Sequence, residues 1–281
     1  MYYKDYILDF NHEVSIRASQ ILKITGLADI IATYKTLDNA IGDGEIVVGR
    51  SANSRNPKIE FEVLHELADT MQRYFRIASD HVLYIGDRKI NCNIKSSTLE
   101  WGDGYDNNPT LEIILYCADP YFYDVSDFGK NIAGIQPMFG FPWTATIDEG
   151  ITFGYRIFSD KTIFENLGDK PVGFRIVITA TRGIASNVKF ENLNTGDFIR
   201  VVSDMEEGDV IEFSTVQKKG EQYIKKNGVD IFANIDRLSD FFLLERGDNF
   251  LQYSADSGTT NLDVVLYYTP VYSNGMVVEK Q

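Results

Sequence analysis

Residues that usually carry chemistry are scarce in this sequence of 281 residues. It has two cysteines, Cys92 and Cys117, and three histidines, His12, His65 and His81. Both cysteines stand beside apolar residues, as small buried side chains do, and a disulfide between them is allowed but not indicated. A hydrolase triad needs a histidine placed beside a nucleophile, and no serine lies in a GxSxG pattern. We therefore predict no catalytic residue.

Motifs for metals and nucleotides are absent as well. The sequence contains no HExxH and no paired CxxC, the spacings that hold zinc. It also lacks GxxxxGK[ST] and GxGxxG, the glycine-rich loops that cradle phosphates. We therefore expect neither a metal site nor a cofactor.

Positive charge is also in short supply. The chain has 27 Lys and Arg against 41 Asp and Glu, which gives a formal net charge of -14 and a pI of about 4.7. Nucleic-acid binding needs cationic groups that displace phosphate counterions. The densest basic spots, Lys218-Lys219 and Lys225-Lys226, are more typical of solvated strand ends. Specific binding to nucleic acid is not expected.

Long apolar runs are missing too. No stretch of about eighteen apolar residues could span a bilayer. No apolar core follows a basic region at the N-terminus, so no signal peptide is predicted. We expect a chain that is made in a cytoplasm, with no membrane partner.

Aromatic residues, by contrast, are plentiful, with 18 Phe and 16 Tyr. Such rings suit pleated, half-buried surfaces and favour β structure. In Lys58–Val63, apolar and charged residues alternate as in a half-buried strand. Apolar residues of Leu64–Phe75 then recur at helical spacing and predict the best helix of the chain, with His65 on its surface.

The segment Asp127–Pro142 is rich in glycine and proline and predicts a domain boundary. Beyond it, short strands follow one another without helices, which indicates a β-sandwich or barrel. Asn227-Gly228 is the strongest hairpin signal, because a type I′ turn needs positive φ at both central residues. We predict a mainly β protein with an α+β domain over residues 1–136 and an all-β domain over residues 137–281.

Two acidic clusters allow a sharper interpretation. The run Asp103–Asn108 could supply oxygen ligands to calcium, but it lacks the glycine and closing glutamate of an EF-hand loop. Asp204, Glu206, Glu207 and Asp209 could supply the acid and base of a glycosidase. Turns rich in Asx and Gly explain both clusters better. Trp101 and Trp143 could be sugar platforms, although buried core aromatics are the commoner case.

Several segments, in this order, resemble the phage distal tail (Dit) protein family. In the first half, a glycine-rich turn, Gly42-Asp43-Gly44, and an arginine, in Ser54-Arg55, precede the strand Lys58–Val63 and the helix after it. A "C-x-D-P-Y-F" segment follows within Leu115–Phe122. In the second half they are Glu165–Asp169, Val188–Gly196, Gly208-Asp209, Asn227-Gly228 and the "S-x-F-x-x-L-x-x-G-x-N" segment Ser239–Asn249. Arg246 stands where the family often has proline, which puts the conformation of that loop in question.

The resemblance implies an N-terminal, β-barrel-like domain that closes a hexameric ring, and a C-terminal galectin-like β-sandwich. It further implies a place at the virion tail tip, where the ring joins the tail tube to the tail-tip hub or lysin and to receptor-binding or adaptor proteins. A carbohydrate-binding adhesion module and a cell-wall hydrolase are the alternatives.

Overall fold

The computed structural model describes residues 7–38, 42–102, 108–126, 128–131, 135–137, 154–156 and 161–275. Short strands make up most of these residues. Those of the first half are β1 (Ile7–Phe10), β2 (Val14–Arg17), β3 (Ile21–Thr25), β4 (Ala32–Asp38), β5 (Glu45–Ala52), β6 (Lys58–Glu62), β7 (Asp80–Ile85), β8 (Arg88–Glu100), β9 (Thr110–Tyr116) and β10 (Phe122–Asp124).

The remaining strands follow in chain order. They are β11 (Phe128–Asn131), β12 (Ile135–Pro137), β13 (Gly154–Arg156), β14 (Lys161–Asn166), β15 (Phe174–Ala180), β16 (Ala185–Asn192), β17 (Phe198–Met205), β18 (Val210–Thr215), β19 (Gln222–Lys226), β20 (Val229–Asp230), β21 (Gly247–Ser257), β22 (Leu262–Tyr268) and β23 (Val271–Tyr272). This content confirms the predicted mainly β class.

The chain divides into two compact units, one of residues 1–126 with 271–281 and one of residues 127–270. In the first unit, an antiparallel sheet has the order β2-β1-β7-β8-β9-β6-β3. Every one of these strands sends side chains into one core. The end strands β2 and β3 are joined by only the 3-10 turn Ala18–Gln20. The sheet therefore curls back on itself, in keeping with a barrel-like domain.

The predicted helix is shorter than expected. An α-helix, α1, covers Ala68–Tyr74 and follows a 3-10 turn at His65–Leu67. Leu64 is still extended, because the backbone N–H of Val63 before it bonds to the carbonyl of Pro109. Leu64 is consequently exposed, and Phe75 at the other end is fully buried. His65 lies on the surface, as predicted.

The second unit is a β-sandwich. One antiparallel sheet has the order β11-β22-β15-β18-β19-β20 and the other β14-β21-β16-β17. Phe174 and Phe213 of the first sheet meet Phe190 of the second at ring-centroid distances of 5.7 and 6.2 Å. Edge-to-face and tilted contacts of this kind add to the burial of large rings. Phenylalanines, which are abundant in the sequence, thus pack in the core between the two sheets.

The units do not follow the sequence division at residues 136 and 137. β11 already pairs with β22 in the second unit, and β23 returns to the first unit to pair with β10. Arg88 lies 3.8 Å from the ring centre of Tyr272 and donates a hydrogen bond to the carbonyl of Asn274. A pairing between residues about 150 positions apart leaves no local periodicity, so the sequence could not predict it.

The hairpin at Asn227-Gly228 is confirmed. Asn227 has φ +50° and Gly228 has φ +80°, and Lys226 pairs with Val229 across the turn. A Cβ on Gly228 would meet no atom within 4 Å, so backbone conformation alone restricts this position.

Gly228→Val should therefore destabilise the chain by about 1–3 kcal/mol, because a β-branched residue resists positive φ. Gly228→Asn is the matched control and should cost much less, since Asn tolerates this region. Urea unfolding of both variants measures the difference. An unchanged midpoint for Gly228→Val would contradict the turn assignment.

Candidate assembly surface

A two-stranded arm, defined as residues 30–38 and 42–52, extends the first unit. Its strands β4 and β5 pair with each other from Ala32↔Ala52 to Asp38↔Glu45, and pair with no other strand among the residues that the structure describes. Lone two-stranded ribbons are marginally stable in water, because neither face is covered. The arm therefore lacks the packing that the other strands of its unit have.

The arm is apolar as well as uncovered. Tyr34, Leu37, Ile46, Val47 and Val48 are 53–60% exposed, and Ile31 is 66% exposed. Ile46–Val48 are consecutive, so successive side chains point to opposite faces and both faces carry apolar groups. Contiguous apolar surface on a folded protein is typical of an interaction site.

Arg55 fixes the base of the arm. This residue lies shortly after the arm, and its guanidinium donates to the carbonyl of Leu27, shortly before the arm, and to that of Ser273 at 2.7 Å. It is 3% exposed and lies 5.0 Å from the ring centre of Phe122. Burial lowers the pKa of Arg55, yet a guanidinium keeps its charge in proteins. The motif residues Arg55 and Phe122 thus meet at one buried point.

Sequence reasoning found only part of this surface. It identified the glycine-rich turn Gly42-Asp43-Gly44, which leads into β5, but neither the partner strand β4 nor the exposure of both strands. The available signal was the apolar triplet Ile46–Val48. A fully buried strand gives the same run, so the triplet alone does not distinguish exposure from burial.

His81 is the buried histidine of the described residues, and its hydrogen bonds do not activate a nucleophile. The amide nitrogen of Asn11 donates to Nδ1 of His81 at 3.0 Å, so the ring proton is on Nε2. The Nε2–H then donates to Ser79 Oγ at 2.8 Å, and Ser79 donates to the carbonyl of Arg76. The serine proton is therefore directed away from the imidazole. The network holds together the loops around an open polar pocket of about 510 Å³.

The contacts of His12 and His65 do not include a nucleophile either. His12 is exposed, bonds Asp9 at 2.9 Å and stacks on Tyr84. His65 contacts Trp101 edge-on at 4.9 Å, and Trp101 is itself 57% exposed, so it is not the core aromatic that sequence reasoning favoured. Trp143 lies outside the described residues.

The second acidic cluster was predicted as an exposed hairpin tip, but it is a turn that connects β17 of one sheet to β18 of the other, and Lys226 and amide groups hold it. Asp209 accepts from Lys226 at 2.8 Å and from the Asn227 side chain at 2.7 Å. The hydrogen bond from Lys226, followed by that from the backbone N–H of Glu206, holds the pKa of Asp209 well below its usual range. A glycosidase acid would need the opposite shift. The turn interpretation of this cluster is supported.

The first acidic cluster is described only at its end. Residues 103–107 lie outside the described part, and Asn108 donates to Glu62 at 2.7 Å. Within the described ranges, no group of His, Cys, Asp and Glu side chains is arranged to hold a metal ion. Within the same ranges, no helix is long and apolar enough to cross a bilayer.

Buried asparagines hold three loops of the second unit, and each belongs to a motif found in the sequence. Asn166, Asn192 and Asn249 are 1–2% exposed. Asn249 closes the "G-x-N" loop: its Nδ2 donates to the carbonyls of Glu245 and Gly247, and its Oδ1 accepts from the N–H of Glu245, all at 2.8–2.9 Å. The loop therefore closes with Arg246 in place of proline.

Comparison with known proteins agrees with this picture. The family model for the siphovirus-type tail component, C-terminal domain, matches residues 167–272. The chain is similar to the solved structure of SPP1 Dit (gp 19.1), described as a paradigm of the hub adsorption apparatus in phages that infect Gram-positive bacteria. That similarity has a TM-score of 0.65 and 14% identity and covers 95% of this chain and 99% of that one.

A second similar structure is the phage P2 baseplate in its activated conformation with calcium. It has a TM-score of 0.44 and 11% identity over 94% of this chain and 98% of that one. No curated protein sequence matches the chain significantly.

Residues 167–272, which lie in the second unit, are thus similar to the C-terminal domain of siphovirus-type tail components, a structural class of phage protein. The chain also shares the fold of the SPP1 Dit structure over 95% of its length.

Asn249→Ala should destabilise the second unit by about 1–3 kcal/mol, because its removal leaves buried backbone groups unpaired. Asn234→Ala is the matched control, since Asn234 is exposed. Urea unfolding of the full chain measures both effects. Equal midpoints for the two variants would rule out the anchoring role of Asn249.

Stability should also fall as the pH drops below about 6.5, the ordinary pKa of histidine. Burial lowers the pKa of His81, against the smaller opposing effects of Glu13 and Asp80, so the unfolded chain takes up this proton first. Proton binding to the unfolded state lowers stability as pH falls through that value. His81→Gln should weaken this dependence and His65→Gln, at an exposed site, should not. Urea midpoints measured near pH 7.5 and 5.5 test this expectation. An equal decrease in midpoint between the two pH values in both variants would contradict it.

Proposed function

We propose that the chain is the distal tail protein of a phage or phage-like particle, a structural subunit that forms a ring at the tail tip. The ring joins the tail tube to the tail-tip hub or lysin and carries receptor-binding or adaptor proteins. The family match of residues 167–272 supports a tail component, and the full-length fold supports the distal position.

The main support for a ring is the exposed apolar surface of the arm. Closed symmetry is the rule for homo-oligomers, and each subunit of a ring must present two complementary surfaces to its neighbours. A stable interface buries on the order of 800 Å² per partner. An arm with apolar groups on both faces offers such an area, and its base is held by Arg55. We propose that the arm packs on the first unit of the neighbouring subunit.

Six copies per ring is the number that the resemblance to the family implies. The second unit is a β-sandwich of its own, and we propose that it is galectin-like and faces the outside of the ring. The acidic turn in which Asp209 pairs with Lys226 supports a structural role for that unit and gives no support to a hydrolase.

The double variant Leu37→Glu with Ile46→Lys tests the proposal. These two residues pair across the arm, so opposite charges keep the arm folded while they remove apolar contact area. We expect rings from the unmodified chain at high concentration and monomers from the variant, with the same circular dichroism. Val229→Lys is the control, because Val229 is 66% exposed on an edge strand of the second unit.

Light scattering and negative-stain microscopy measure the outcome, both on the isolated chain and on assembled particles, since some rings close only on their partners. Rings that persist in the arm variant, or a lack of rings in assembled particles that contain the unmodified chain, would overturn the proposed role of the arm.

A further inference from the structure

Cys92 and Cys117 face each other inside the first unit. They are 4% and 0% exposed; Cys92 lies on β8, and Cys117 directly follows the neighbouring antiparallel strand β9. The register pairs Ile94 with Leu115 and Asn93 with Tyr116. One further step along the same ladder places Cys92 directly opposite Cys117.

Backbone hydrogen bonds define which kind of pair this is. The N–H of Cys117 donates to the carbonyl of Arg55 at 2.8 Å, and the N–H of Arg55 donates to the carbonyl of Cys117 at 3.0 Å. Both backbone groups of Cys117 therefore point away from β8. Cys92 and Cys117 form a non-hydrogen-bonded pair, in which Cα atoms lie about 4.5 Å apart and side chains are closest. That spacing is within the range of about 4.4–6.8 Å that a disulfide spans.

The reduced pair is protected in the cytoplasm. A hydrogen bond to Cys117, together with burial, holds the pKa of the Cys92 thiol far above its ordinary value. Since the thiolate is the form that attacks a disulfide, exchange must await an opening of the strands. Both cysteines are free thiols in the structure.

We propose that Cys92 and Cys117 are a latent disulfide, which closes once the protein has left the reducing cytoplasm. The oxidant is a low-molecular-weight disulfide of the glutathione class. One cysteine thiolate attacks a sulfur of that disulfide and releases one small thiol. The second cysteine thiolate then attacks the sulfur of the first cysteine and releases the other small thiol. The two protein thiols lose two hydrogens, and the small disulfide gains them as two thiols.

Closure would link β8 to β9, two interior strands of the curled sheet, and stabilise the first unit where no reductant is present. The inference takes from the proposed function only that the protein ends outside the cell. The ring and the arm play no part in it, so the two can fail separately.

The test is an equilibrium with glutathione. The full chain is brought to equilibrium in glutathione redox buffers, natively and in concentrated urea, starting from both the reduced and the oxidised form. Acid quenching, alkylation and intact mass then give the fraction that has lost two hydrogens. A disulfide that stabilises the fold by the usual amount of ~2–4 kcal/mol should form about 100-fold more favourably in the native chain than in the unfolded chain.

A native preference of that order, with a higher melting temperature for the oxidised chain, supports the latent disulfide. A preference at or below that of the unfolded chain overturns it, as does a product that carries glutathione on both cysteines. Cys92→Ala and Cys117→Ala serve to assign the mass change. Since the decisive comparison uses the unmodified chain in its two states, it stands even where a variant fails to fold.

Discussion

The first unit depends on one buried cation. Arg55 reaches the carbonyl of Leu27 in front of the arm and that of Ser273 near the end of the described chain, while its backbone pairs with Cys117. A buried charge is tolerated only where such partners surround it, and removing one partner is costly. Three distant parts of the sequence must therefore arrive together for the unit to close. Because Arg55 lies next to the base of the arm, the same contacts fix the position of that base.

The second unit uses neutral groups for the same purpose. Its loops are closed by the amides of Asn166 and Asn249, which both donate and accept, and by that of Asn192, which accepts from the N–H of Asn194. An amide needs no counter-charge, so it can lie among the aromatic rings of the sandwich at lower cost than an ion. This explains why the motifs of the second half are rich in Asn and Gly, while catalytic residue types are scarce.

Much of this architecture could be predicted from sequence, because strands and turns leave local patterns. Period-2 alternation located β6, and Asn227-Gly228 identified its hairpin to the residue. Long-range pairing left no such pattern: nothing near Tyr272 indicates that it pairs with Phe122. The arm was missed for a related reason, since apolar runs are the same whether neighbours cover them or not. Likewise, the exposure of Leu64 was decided by the backbone bond of Val63, not by helical spacing.

The return of β23 to β10 makes the second unit an insertion, with both of its ends leaving from the first unit between Ser126 and Val271. The two segments that flank the insertion, β10 and β23, pair with each other, so the first unit completes its sheet without using the inserted sequence. Recombination can then replace the inserted second unit by another sandwich, enlarge it or remove it, while the first unit remains intact. Lineages that share one tail architecture could in this way diversify what they display to their surroundings by exchanging a cassette.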